Sequence, residues 1–180
     1  LGFVDDVRNL SPLVRFMAQM ASATLTLWIL APLFPQVSLG NWGIPGGLWV
    51  PVGAVWAVWM LNLYNFMDGI DGLAGGEAAL ASSFFFVVFA WFGEPGWAVA
   101  NLIVAAASMG FLIHNWPPAR LFLGAAGSAF LGAFYVMQAV VGPLSTEGPS
   151  PILVLPFAHV LLATTCTLFR RMVRREKWYQ

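Results

Sequence analysis

Six stretches of this chain, at about 13–34, 46–64, 73–92, 97–114, 127–142 and 151–169, are apolar enough to cross a bilayer, and they constrain the fold more than any other feature. A helical span needs about 20 mostly apolar residues, and in hydrocarbon every backbone N–H and C=O must be bonded within the chain. Only helix bundles and closed barrels meet that demand, and runs of this length fit helices. Charged residues make up 9% of the chain, too few to wet the surface of a soluble domain. The predicted fold class is therefore all-α: a polytopic transmembrane helix bundle of about six spans forming one membrane-embedded domain over 1–180. Ser11-Pro12 suits the start of the first span, with Ser as N-cap and Pro at the first helical position. The fifth window is short and rich in Gly and Ala.

The connections alternate in charge. The loops near 35–45, 93–96 and 142–150 hold no Lys or Arg, whereas Arg8, Arg120 and the basic cluster at 170–177 fall in the other connections. Arg15 lies one turn inside the first span, on the same side. Six spans place every basic residue on one face, and the positive-inside rule makes that face cytoplasmic, with both termini on it. Val37 to Ile44, around Gly40-Asn41, suits a small hairpin on the opposite face. Trp42, Trp49, Trp91, Trp97 and Trp116 lie near span ends, where an interfacial belt expects them. No signal peptide opens the chain. Leu1 and the abrupt basic end suggest a piece of a longer protein.

Some functions are excluded early. Eight basic and eight acidic residues give zero net charge, which argues against nucleic acid. Cys166 is the only cysteine, so an internal disulfide and a thiolate metal cluster are out. No internal repeat supports an inverted-repeat transporter, and no charge is expected deep in a span.

Only Glu94 and Glu147 fall on the outer side; Asp5, Asp6, Asp68, Asp71, Glu77 and Glu176 fall on the cytoplasmic side, the aspartates in two clusters at its span mouths. One cluster is Asp5-Asp6, whose plain reading is a solvated loop before a helix. The other runs from Asn62 through Asn65 and Asp68 to Asp71, each three residues apart and so on one face of a helical turn. Two amides and two carboxylates on such a stripe suit Mg²⁺ shared with substrate phosphates. As a solvated charge, Asp68 is expected to matter more to ligand binding than to folding. His159 reads as a packing residue, and His114, at a cytoplasmic mouth, as a candidate substrate contact.

Gly2-Phe3-Val4-Asp5-Asp6, then Asn65-Phe66-Met67-Asp68-Gly69-Ile70-Asp71-Gly72-Leu73-Ala74, then Gly110-Phe111-Leu112-Ile113-His114-Asn115-Trp116-Pro117-Pro118-Ala119 and Gly127-Ser128 occur in order. This succession resembles the polyprenyl-phosphate N-acetylhexosamine-1-phosphate transferase family (glycosyltransferase family 4), and within it the bacterial enzymes that initiate O-antigen, lipopolysaccharide and teichoic-acid glycans of the cell wall rather than the peptidoglycan-precursor branch. Family members have ten or eleven spans, and this chain is similar to their central part. The resemblance implies a bacterial inner-membrane enzyme with a cytoplasmic active face, which transfers a sugar-1-phosphate from a UDP-sugar to a polyprenyl phosphate and releases UMP. Its partners are then the UDP-sugar, the polyprenyl phosphate and the lipid bilayer, with a homodimer open as an assembly. Its cofactor is Mg²⁺, with Mn²⁺ the alternative.

By resemblance, Asp5, Asp6, Asp68 and Asp71 are catalytic, with Asp5 and Asp6 handling the lipid phosphate. Asn65 and Asp68 belong near the metal. Arg15, Asn62, Asp71, Asn115, Arg120 and Phe122 bind substrate, Phe122 as a uracil stacker. Two positions depart from the pattern. The family's Phe-Met-Gly-Asp-x-Gly-Ser reads Phe122-Leu123-Gly124-Ala125-Ala126-Gly127-Ser128 here, so Ala125 stands where the family has its main metal ligand. Ala163 replaces a second family Asp. The alternative is thus a catalytically impaired homologue acting as a membrane binding or scaffold protein. On that alternative Gly124, Ser128 and Gly132, four apart, are a helix-packing stripe.

Overall fold

The computed structural model describes residues 2–8, 10–33, 36–39 and 42–146. The sixth predicted span, with His159, Ala163 and the basic cluster at 170–177, lies outside the described residues. Six helices follow one another: α1 (Gly2–Arg8), α2 (Pro12–Leu30), α3 (Gly46–Met67), α4 (Leu73–Trp91), α5 (Pro95–Asn115) and α6 (Gly124–Thr146). Between α2 and α3, a 3₁₀ turn (Ala31–Leu33) leads into the antiparallel strands β1 (Gln36–Leu39) and β2 (Trp42–Pro45). Val37 pairs with Ile44, as the hairpin reading requires. Four helices, α2 to α5, are long and apolar enough to cross a membrane. The described residues form an all-α bundle of membrane-spanning helices with one small hairpin.

Local chemistry explains most of the boundaries. The Ser11 hydroxyl accepts the Val14 N–H at 3.4 Å and Pro12 fills the first helical position of α2, as expected. Gly93, at φ +75°, makes the turn between α4 and α5, and Pro95 opens α5. The fifth predicted span is longer than its sequence pattern suggests: α6 has 23 residues, about 34 Å of helix. Its start is fixed by carboxylates from distant segments, which no local pattern reveals.

The helices pack as α2 on α3, α3 on α6, α4 on α5, and α1 across the start of α6. α4 is central and α2 peripheral: 56% of the apolar window of α4 is buried against 11% for α2. The outward faces of α2 and α5, with Leu13, Trp28, Ile29, Ile103 and Ile113 exposed, suit lipid. Inside, Tyr64 of α3 stacks on Tyr135 of α6 with ring centroids 5.5 Å apart. The Tyr135 hydroxyl donates to the Ala78 carbonyl at 3.0 Å and lies 2.7 Å from Ser82 Oγ. The Asn101 amide donates to Gln138 Oε1 at 2.8 Å, tying α5 to α6.

Two expectations are corrected here. Glu77, in the second turn of α4, is buried within electrostatic reach of Tyr64 and Tyr135, so a carboxylate does enter the bundle. The Trp belt holds only in part. Trp91 and Trp116 are exposed, but Trp49 is buried against Leu27, Val50 and Ala54, and Trp97 stacks on Phe89. A large ring near a span end packs inward when its helix turns that face to a neighbour.

Candidate functional site

The start of α2, the α3–α4 turn and the α5–α6 connection meet at one end of the bundle. All three described arginines, Arg8, Arg15 and Arg120, are at this end, while the hairpin and Gly93 mark the other. The charge alternation in the sequence thus corresponds to a real grouping of loops.

Asp5 and Asp6 do not form a solvated loop. They lie on α1, and their carboxylates point to different partners. Asp5 is buried; its Oδ2 takes a charged hydrogen bond from Arg15 at 3.0 Å and its Oδ1 accepts the Leu10 N–H at 3.0 Å. Asp6 Oδ1 accepts the Ala125 N–H at 2.7 Å and Oδ2 the Ala126 N–H at 3.0 Å.

The second cluster divides in the same way, because α3 ends at Met67 and the chain turns before Leu73. Asn62 donates to Gln19 Oε1 and to the Val58 carbonyl, both at 2.8 Å, between α2 and α3. Ser128 Oγ donates to the Gly124 carbonyl at 2.8 Å and lies 3.3 Å from Asn65 Oδ1. Asp68 is not solvated. It is buried, with Oδ1 accepting the Leu123 N–H and Oδ2 the Gly124 N–H, both at 2.8 Å. Asp71 is exposed, and its Oδ2 accepts the Ala119 N–H at 2.9 Å. Asn115 is buried and bridges the two connections: its Oδ1 accepts the Gly72 N–H and its Nδ2 donates to the Leu121 carbonyl. Arg120, Phe122 and His114 are exposed at the same end.

The first N–H groups of any helix lack intrahelical partners and carry partial positive charge. At α6 the N–H groups of Leu123, Gly124, Ala125 and Ala126 are all taken by Asp68 and Asp6. Gly124 permits this: it sits at φ +70°, and a Cβ there would lie 3.2 Å from the Asp6 oxygens. The Mg²⁺ or Mn²⁺ implied by the resemblance does not fit this donor set. Both oxygens of Asp68 and of Asp6 face N–H donors, and position 125 offers a methyl group. Among the described residues no three His, Cys, Asp or Glu side chains converge on a point that would hold a metal.

Beside these carboxylates, a cavity of about 380 Å³ opens between α2, α3 and α6. Arg15, Gln19, Ser22 and Thr26 line it from α2, Ala57, Leu61 and Asn65 from α3, and Ser128, Ala133, Val136 and Met137 from α6. From Arg15 to Leu27 it follows about 18 Å of helix. Asp5, Arg15, Asn65 and Ser128 make its loop end polar, and Leu27, Ala57, Val136 and Met137 make its depth mostly apolar, with Thr26 the polar exception. Gln19 and Thr26 escaped the sequence reading. Their signal was present, since Arg15, Gln19, Ser22 and Thr26 recur at steps of three and four, the period of one helix face, on a span whose only other polar residue is Thr24.

Residues 1–143 match the family model described as glycosyl transferase family 4. A Bacillus subtilis protein named "Probable undecaprenyl-phosphate N-acetylglucosaminyl 1-phosphate transferase" is 29% identical over 182 residues, covering 98% of this chain and 50% of that protein. A phospho-N-acetylmuramoyl-pentapeptide-transferase of Gloeothece citriformis is 32% identical over 160 residues, covering 81% of this chain and 42% of its own length. One of the same name from Microcystis aeruginosa is 38% identical over 148 residues, covering 73% and 40%. The chain therefore spans about half the length, or less, of these relatives.

Proposed function

The chain belongs to glycosyl transferase family 4, and from that premise we propose that it is the core of a membrane enzyme which moves a phospho-sugar from a UDP-sugar to a polyprenyl phosphate. The sugar is of the N-acetylhexosamine type, and the site faces the cytoplasm of a bacterium building its cell envelope. The observation that carries this reading is the cavity between α2, α3 and α6. A polyprenyl phosphate is a charged head on a long apolar tail, and the cavity has one polar end and an apolar depth in the same order.

In this reading a lipid-phosphate oxygen attacks the sugar-linked phosphorus of the UDP-sugar. The bond from that phosphorus to the bridging oxygen breaks, UMP leaves with the bridging oxygen, and the lipid keeps a diphosphate-linked sugar. Arg15 is the cation at the polar end, and Asp5 holds its guanidinium in place at 3.0 Å. Placing attacking and leaving groups in line is the main work such a site does. Asp71, Asn115, Arg120 and Phe122, grouped around the α5–α6 connection, form the nucleotide side.

The test is UMP release by the full-length protein in nanodiscs, with undecaprenyl phosphate and a panel of UDP-N-acetylhexosamines. Release that requires the lipid phosphate and falls at least tenfold in Arg15→Gln supports the reading. Ala125 favours a second one, a family member that binds lipid phosphate or nucleotide without turnover. Saturable binding of undecaprenyl phosphate with no UMP from any donor would favour that one.

A further inference from the structure

We infer that the acidic residues at the loop end hold no resident divalent cation and serve instead as a clamp, with Asp6 and Asp68 as positioning residues that fix the N-terminus of α6. The reading of this chain as a family member selects the ion to test; the inference itself rests on where the carboxylate oxygens go.

Asp68 lies just past the end of α3 and Asp6 lies on α1, 55–56 and 119–120 residues from their partners at the start of α6. Their four oxygens accept the N–H groups of Leu123, Gly124, Ala125 and Ala126 at 2.7 to 3.0 Å. A carboxylate at a helix N-terminus offsets the partial positive charge there and satisfies donors that would otherwise be orphaned. Each oxygen keeps a second acceptor site, but the N–H bonds fix where it points, so Mg²⁺ would have to take the carboxylates as the clamp holds them. It also demands near-octahedral oxygen geometry and gives up water reluctantly. The remaining acids do not replace them. Asp5 is taken by Arg15 and the Leu10 N–H, and Asp71 gives one oxygen to Ala119.

Position 125 is the residue that decides. It is the second residue of α6, with its N–H bonded to Asp6. An aspartate at 125 would add a carboxylate beside that of Asp6. Two adjacent carboxylates repel, and a cation relieves the repulsion.

The experiment is a Mn²⁺ titration of the full-length protein in nanodiscs, without nucleotide, followed by loss of the free-ion electron paramagnetic resonance signal. The unmodified protein and Asp71→Asn should give the same curve, with no saturable site. Ala125→Asp should gain one Mn²⁺ per chain, and Ala125→Asn should gain none. Melting gives a second readout: Mg²⁺ should leave the unmodified protein unchanged and raise the melting temperature of Ala125→Asp. One Mn²⁺ per unmodified chain, lost in Asp71→Asn, would overturn the inference. Failure of folded Ala125→Asp to gain a site would overturn the weight given to position 125. None of these measurements depends on turnover, so absence of UMP release would count against the enzyme reading alone.

Discussion

Replacing Gly132 by alanine should split the seam between α3 and α6. A Cβ on Gly132 would lie 2.8 Å from Leu61 Cα, 3.1 Å from Leu61 N and 3.1 Å from the Met60 carbonyl oxygen. Ordinary contacts begin at 3.4 Å, so the methyl group is about 0.6 Å too close to backbone that cannot rotate away. The two helices must separate, and overpacking of this kind costs about 1–3 kcal/mol. Gly110 on α5 provides the control. Nothing lies within 4 Å of its Cβ position, so Gly110→Ala carries only the gain in helix propensity, up to about 1 kcal/mol. For a protein of this size, 1 kcal/mol shifts the melting temperature by roughly 2–4 °C. Melting in detergent should therefore show Gly132→Ala falling by about 2–12 °C and Gly110→Ala unchanged or raised. The separation also reaches the site. Ser128 is one turn before Gly132 and lies 3.3 Å from Asn65 Oδ1, close to the limit of a useful hydrogen bond. If Gly132→Ala melts as high as Gly110→Ala, the close approach of α3 and α6 is not as described here, and the lining of the cavity falls with it.

Other perturbations separate the remaining claims. Asp68→Asn leaves an amide donor facing an N–H, and it should destabilise the protein by about 2–4 kcal/mol whether Mg²⁺ or EDTA is present, read by melting in each; a loss seen only with Mg²⁺ would return Asp68 to metal binding. Tyr135→Phe removes the bonds to Ala78 and Ser82 inside the bundle and should cost about 1–3 kcal/mol in the same assay, with an unchanged melting temperature counting against that network. In a Cys166→Ser background, single cysteines at positions 93 and 70 should react from opposite sides of the membrane, position 93 from outside; labelling of both from one side would refute the topology.

The helix plan was largely legible in the sequence, because the bilayer leaves few solutions. Helices α2 to α6 lie where apolar windows predicted them, and Ser11-Pro12 and the hairpin hold because caps and turns are local chemistry. The grouping of the acidic motifs at one end also followed, from the alternation of charged and uncharged loops. The partners of those acids did not. Asp5 and Asp6 are neighbours in sequence, yet one binds Arg15 and the other caps α6; Asp68 and Asp71 share a motif, yet one is buried in the clamp and the other is exposed. Spacing along a helix predicts which side chains share a face, and the stripe from Asn62 to Asp71 lost that property because α3 ends at Met67. Hydrogen bonds spanning 55 to 120 residues are decided by which helix ends meet, and that is set by packing such as the Gly132–Leu61 contact. Composition and periodicity determined that the chain crosses a membrane several times and turns its four aspartates to one face. Only the tertiary structure decided that two of those acids spend their charge on the N-terminus of a helix, since a carboxylate binds whichever donor the fold brings within 3 Å.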